Sequence, residues 1–304
     1  MKKNQKYLIV ILGPTASGKT DLSIQIAKKL KTSIISSDSR QFFKELNIGT
    51  AKPNKEQLRM VKHYFINYLS INEPYNAGKF EMDAMKLLKK LFLKLNFVVM
   101  VGGSGLYIDA ICKGFDRFPK VPKSIRDKLI SQYHNYGLSM LLSELKDKDK
   151  EYYSVVDIHN HQRIIRALEV IRYSGRKFSS FIGKNNFIRK FKIIKIGVSI
   201  KKNQLDKLIN QRVDFMIKSG LFKEVKNLLS YEKYNALQTV GYKEIFRYYN
   251  KDISKMDAIE QIKINTRKYA KKQITWFRRD DNVKWLNPNL NEVVDYIKKV
   301  SNNC

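Results

Sequence analysis

Gly13, Gly18, Lys19 and Thr20 stand at the spacing G-x-x-x-x-G-K-T, within Gly13-Pro14-Thr15-Ala16-Ser17-Gly18-Lys19-Thr20. Glycines at those places let successive backbone N–H groups converge on an anion, and a helix starting there adds the positive end of its dipole. Lys19 can reach the outer phosphate oxygens, and the Thr20 hydroxyl suits a Mg²⁺ ion. The chemistry is that of a diphosphate or triphosphate, and the loop does not say which molecule carries it. Asp38, in Ser36-Ser37-Asp38-Ser39-Arg40-Gln41, is a second candidate. A carboxylate there could anchor the metal, accept a proton from a bound substrate, or cap the next turn. The third group is Gly102-Gly103-Ser104-Gly105, where glycines admit a ligand close to the backbone and Ser104 offers a hydroxyl.

Each of these groups follows a short apolar run. Tyr7–Leu12, Ser33–Ser37 and Phe97–Val101 read as buried strands. The three groups therefore stand at strand C-termini, where the ligand crevice of an open α/β sheet lies. Leu22, Ile26, Ala27 and Leu30 recur at helical spacing after the loop, so a helix is expected to start near Gly18. His63–Leu69 reads as a third strand with His63 as a structural residue, and Phe191–Val198 reads as a fifth. The fold class expected is α/β, a P-loop NTPase-like parallel sheet flanked by helices. Between the fourth and fifth strands the pattern is helical from Pro119 and Pro122 onward. The expected division is a core of residues 1–116 and 190–304 with C-terminal helices, and a small helical insertion over 117–189.

Composition narrows the partners. The chain of 304 residues carries 59 Lys and Arg against 28 Asp and Glu, a net charge of +31. Such a field favours polyanions, nucleic acid first. Cys112 and Cys304 are the two cysteines, which excludes a disulfide framework and a C-x-x-C metal pair. Met1-Lys2-Lys3 runs straight into the first strand without a signal-type apolar region, and no apolar run is long enough to cross a bilayer. A soluble cytoplasmic protein with no membrane partner is expected.

The motifs, taken in order, converge on a family. G-P-T-A-S-G-K-T, S-S-D-S-R-Q, I-G-T-A-K-P and G-G-S-G-L-Y are followed by Gln162-Arg163-Ile164-Ile165-Arg166-Ala167-Leu168-Glu169-Val170. Arg212, Gly220-Leu221-Phe222-Lys223-Glu224-Val225 and Val240-Gly241-Tyr242-Lys243-Glu244 come next, and Thr266 to Arg278 closes the set. The chain resembles the tRNA dimethylallyltransferases over nearly its whole length. Those enzymes attach an isopentenyl-type chain to N6 of the adenosine beside the anticodon.

The resemblance implies roles. The loop Gly13, Pro14, Thr15, Ala16, Ser17, Gly18, Lys19 and Thr20 would hold the diphosphate of dimethylallyl diphosphate, with Arg212 as a further cation and Mg²⁺ at Thr20. Lys19 and Thr20 would then be catalytic together with Asp38, as base for the N6 proton, and Ser104. Ser104 stands where most relatives have Thr, which keeps the hydroxyl. The tRNA would be met by Asp38, Ser39, Arg40, Gln41 and Ser104, with Arg40 and Gln41 reading neighbouring bases. Arg126, Gln162, Arg163, Ile164, Ile165 and Arg166 would meet it from the insertion, and Lys271, Lys272, Gln273, Ile274, Thr275, Trp276, Phe277 and Arg278 from the last long helix. On that helix Arg267, Lys271 and Arg278 share a face, while Tyr269 and Trp276 are expected to pack into the core. A monomer acting on the tRNA anticodon loop is expected, with no zinc.

Overall fold

Tyr7–Leu12 (β1) is buried at every residue, as a strand with parallel neighbours on both sides and helices on both faces must be. Its side chains part alternately. Leu8, Val10 and Leu12 enter one apolar cluster, and Tyr7, Ile9 and Ile11 enter another. The computed structural model describes residues 5–183 and 188–302. The chain divides into two compact units, Met1–Lys113 with Arg189–Cys304, and Gly114–Ile188.

In the first unit β1 is followed by α1 (Lys19–Lys29), β2 (Ile34–Ser36), α2 (Lys55–Met60) and β3 (His63–Tyr64). Then come α3 (Ala77–Leu91), β4 (Phe97–Gly102) and α4 (Gly105–Cys112). The second unit holds α5 (Lys123–Lys148), α6 (Lys150–Val155) and α7 (His161–Ser174). The first unit resumes with β5 (Lys192–Val198), α8 (Lys202–Lys218), α9 (Leu221–Lys226) and α10 (Tyr242–Tyr249). It continues through α11 (Lys255–Phe277), β6 (Val283–Leu286) and α12 (Leu290–Asn302).

The six strands form one sheet in the order β3-β2-β4-β1-β5-β6, and every neighbouring pair is parallel. Residues of α3, α4 and α8–α11 cover one face, and α1 with α12 covers the other. Burying each Leu or Ile contributes about 1.5–3 kcal/mol before the entropy of ordering is subtracted. The strands that lead to the chemistry are therefore anchored in the buried core of the unit. The chain leaves β1 and β2 toward β4's side of the sheet, then crosses back past β1 to reach β5. That reversal opens a crevice at the strand C-termini.

Two edges differ from expectation. His63–Leu69 is a strand only at His63 and Tyr64, because Phe65 (φ 63°) and Asn67 (φ 51°) adopt left-handed backbone and turn the chain. Leu69 returns as a single bridge to Phe43. At the other edge, Val283–Leu286 forms a strand the sequence does not mark, pairing from Lys195↔Val283 to Val198↔Leu286.

The Gly114–Ile188 unit has its own core, in which Leu129, Leu141 and Leu145 of α5 meet Ile164, Ile165 and Leu168 of α7. Gly137 (φ 77°) breaks α5 in its middle. Among the described residues, no helix is long and apolar enough to cross a membrane.

Candidate active site

The loop after β1 turns at Gly18 (φ 79°), whose left-handed backbone caps α1. Lys19 follows at once, and its Nζ donates to the Pro14 carbonyl. Burial pulls the Lys19 ammonium down to about 7, the like charge of Arg212 adds to the shift, and Asp38 opposes it. Arg212, from α8, donates through Nη1 to Thr15 Oγ1 at 3.2 Å. Two cations thus converge on the loop. Ser17 Oγ is buried there with no hydrogen-bond partner among the described residues. A cradle of this kind suits an anion.

Asp38 lies just beyond β2. Its Oδ1 accepts from the Arg40 N–H at 2.9 Å and the Gln41 N–H at 3.4 Å. One oxygen therefore caps its own turn, as a structural Asp would, and fixes the carboxylate plane for the other. Ser104 Oγ accepts from the Ser39 N–H at 3.0 Å and lies 3.2 Å from Ser39 Oγ. The ends of β2 and β4 are joined through that hydroxyl.

A cavity of about 420 Å³ opens beside the loop residue Thr15, Arg212 and Asp38. Ser39 and Arg40 are also among its lining residues. Val213, Met216, Val240 and Ile262 give it an apolar stretch, and Gly49, Thr50 and Ala51 form part of its wall. Tyr269 also lines it with 41% of its surface exposed, so this ring is not in the core where its seven-residue spacing from Ile262 would place it. Burial of the Tyr269 hydroxyl, with the Asp38 charge next, pushes it up to about 12.

The residues expected to meet RNA divide by environment. Arg40 donates from Nη1 to the Asn235 carbonyl at 2.9 Å and still faces the cavity. Gln41 is occupied as a tether: it accepts from Ser36 Oγ at 3.2 Å and donates to the Thr50 and Ala51 carbonyls at 3.2 and 3.3 Å. On α11, Lys271, Lys272, Thr275 and Arg278 are exposed and Ile274 is half-buried. Phe277 is core, and half-buried Trp276 donates from Nε1 to Asp109 at 2.9 Å. Arg267 is tied to Asn210 at 2.6 Å, so it is not a free member of the basic face. Within the other unit, Ile164 and Ile165 are fully buried; their side chains belong to that core and leave no surface for RNA. Arg126 and Arg166 both pair with Glu169, and Gln162 accepts from Arg126, while Arg163 is exposed.

Gln273 has a role that no sequence spacing signals. Its Oε1 accepts from the Thr15 N–H at 2.8 Å and its Nε2 donates to the Gly103 carbonyl at 2.9 Å. It pins the phosphate loop to the end of β4 from a helix 258 residues away. Gln273→Leu is expected to cost about 1–3 kcal/mol, because both backbone groups lose their partner. Chemical denaturation reads that loss, and a raised KM for the phosphate-bearing substrate reads the loosened loop.

Comparison with known proteins fits this geometry. The family model described as IPP transferase matches residues 41–280. The tRNA dimethylallyltransferase of Christiangramia forsetii is 47% identical over 298 residues, 97% of this chain and 99% of that one. The tRNA dimethylallyltransferase 1 of Bacteroides thetaiotaomicron is 43% identical over 292 residues, 96% of this chain and 95% of that one. Among solved structures, the full-length tRNA isopentenylpyrophosphate transferase of Bacillus halodurans matches with a TM-score of 0.72 and 30% identity, over 99% of this chain and 96% of that one. A eukaryotic dimethylallyltransferase acting on tRNA shares the fold, with a TM-score of 0.81 at 24% identity over 98% of this chain and 79% of that one. Matches that run almost end to end leave one conclusion: this chain belongs to the IPP transferase family.

Proposed function

We infer that the protein transfers the dimethylallyl group of dimethylallyl diphosphate to N6 of the adenosine 3′ of the anticodon in tRNA. The observation that carries this reading is a cavity lined both by Thr15 and Arg212 of the cationic cradle and by the oriented carboxylate of Asp38. The donor diphosphate lies against the loop N–H groups, Lys19 and Arg212, which stabilise the charge that grows as the C1–O bond breaks. The residues present fit a Mg²⁺ ion: the Thr20 hydroxyl is a hard oxygen donor at the loop's end, and the buried Ser17 hydroxyl of the same loop, which has no partner among the described residues, marks a polar site. When bound, that ion supplies further neutralisation of the leaving diphosphate.

The N6 lone pair forms the new N–C1 bond, diphosphate departs, and the amine proton passes to Oδ2 of Asp38, the oxygen not engaged by the Arg40 and Gln41 N–H groups. Adenine in a stacked loop cannot reach that carboxylate, so the base must be turned out of the stack. The apolar lining of Val213, Met216, Val240 and Ile262 in the same cavity suits the five-carbon chain.

Exposed Lys271, Lys272 and Arg278 of α11 serve the RNA backbone, as do Gln162 and Arg163 of the second unit. Lys271→Ala is expected to weaken tRNA binding by about 2- to 10-fold and lower the salt slope by about one, with donor affinity unchanged. Filter binding across a salt series checks it.

The reading itself is tested by incubating the protein with Mg²⁺, dimethylallyl diphosphate and unmodified tRNA. Mass spectrometry should find one dimethylallyl group on the adenosine beside the anticodon. Labelled ATP should give no transfer of its γ-phosphate. An unaltered tRNA would end this assignment.

A further inference from the structure

Glu224 of α9 faces a wall of the cavity from outside it. Its Oε2 accepts from the N–H groups of Asn47 and Ile48 at 3.2 and 2.8 Å, and its Oε1 from that of Gly49 at 3.1 Å. Three successive amides around one carboxylate make an anion nest, filled here by a side chain of the same protein. The fourth donor is the Tyr242 hydroxyl, at 2.6 Å. That ring is wholly buried and lies flush with the loop: a Cβ on Gly49 would stand 2.5 Å from Tyr242 Cε2. No side chain larger than hydrogen fits at Gly49 without moving the ring.

The pair joins two stretches that both line the cavity. Gly49, Thr50 and Ala51 form one wall, and Gly241 and Lys243, on either side of Tyr242, lie on another. The first is a short 3-10 turn over Ile48–Thr50 that ends at Ala51 with a left-handed φ of 47°, and Thr50 Oγ1 ties it to the Leu46 and Asn47 carbonyls at 2.9 and 3.1 Å. Gln41 holds its far end through the Thr50 and Ala51 carbonyls. Asp38, two residues before Arg40 and three before that Gln41, is built on the same turn. The spacing between the walls, and the distance from either to Asp38, therefore depends on Glu224 and Tyr242.

We propose that Glu224 and Tyr242 are a positioning pair that sets the gap into which the acceptor adenine enters and so aligns its amine with Asp38. The inference rests on the acceptor reading above. It assigns neither residue any contact with the reacting atoms.

The test uses the full-length protein with Tyr242→Phe and Glu224→Gln. Phe keeps the ring against Gly49 and removes one hydrogen bond. Gln keeps the shape but turns an NH₂ toward amides that need an acceptor. Single-turnover rate constants are measured with enzyme in excess, so they do not depend on the folded fraction. Misplacing a reacting group by an ångström costs about 100-fold, so we expect a fall of that order for Glu224→Gln and about tenfold for Tyr242→Phe. The donor KM and the tRNA Kd should stay within about twofold, since the phosphate loop and the backbone contacts are untouched. Rate constants within about twofold of the parent protein in both variants, or a donor KM that rises in parallel with the loss, would overturn the proposal. If Glu224→Gln does not fold, Tyr242→Phe decides alone. Should the parent protein itself leave tRNA unmodified, the acceptor reading fails first, which separates the two failures.

Discussion

Asp38→Asn should lower the single-turnover rate of prenyl transfer by about 10²- to 10⁴-fold, the usual worth of a positioned general base, with tRNA affinity unchanged. The substitution discriminates because an asparagine can do everything Asp38 does structurally. Its amide oxygen can still accept from the Arg40 and Gln41 N–H groups, which bind Oδ1 in the parent protein at 2.9 and 3.4 Å. Asparagine caps such turns as readily as aspartate. What it cannot do is take a proton at the position of Oδ2. If the carboxylate served only as a cap, the Asp38→Asn variant would support near-parental turnover, and the proton-acceptor role would be lost. If the carboxylate served only to hold the metal, added Mg²⁺ should restore the rate, whereas loss of a base is indifferent to it. Enzyme in excess and a Mg²⁺ series therefore resolve all three roles that a carboxylate at this position could play.

The parts of the site that stand at strand ends were readable in advance. Strand, glycine turn and helix over Tyr7–Lys29 carry a local pattern, and so do the apolar runs before Asp38 and Ser104. Parallel pairing brings these ends together because strands with buried faces have little freedom of register. What could not be read is held by long-range hydrogen bonds, which leave no periodicity. Gln273 to Thr15 spans 258 residues and Glu224 to Ile48 spans 176. Tyr269 illustrates the opposite failure. Its seven-residue spacing with Ile262 and Trp276 marks one face of α11, but where a cavity opens, that face becomes lining rather than core. The short strand β6 escaped because four residues, Val283–Leu286, carry too little pattern to outweigh their polar surroundings. Arg212 came from the family likeness, and its contact with Thr15 is a feature only the fold can supply.

Lys19→Ala is expected to reduce kcat by about 10²- to 10³-fold, comparable to removing one preorganised donor from a site of developing negative charge, while tRNA binding persists. A second consequence follows from its buried, Arg212-facing position, which holds its pKa at about 7. In the free protein, Lys19 is mostly neutral above that pH. A diphosphate placed beside it favours the protonated form, so donor binding at higher pH must draw in a proton. The sign is fixed by linkage. Donor affinity is fully expressed below about 7 and declines as pH rises, by up to about tenfold per unit, until the pKa of the complex is reached. Calorimetry at pH 8 in two buffers of different ionisation heat should detect that uptake, and Lys19→Ala should abolish both the uptake and the slope. Folding shows the opposite trend. The unfolded chain binds more protons than the folded one between about 7 and 10.5, so the apo protein gains stability from Lys19 deprotonation across that range. Lys19→Met, which removes the buried charge, should accordingly raise the melting temperature at neutral pH even as it removes activity. A variant that kept the parental pH slope would show that another group, and not this lysine, meets the departing diphosphate.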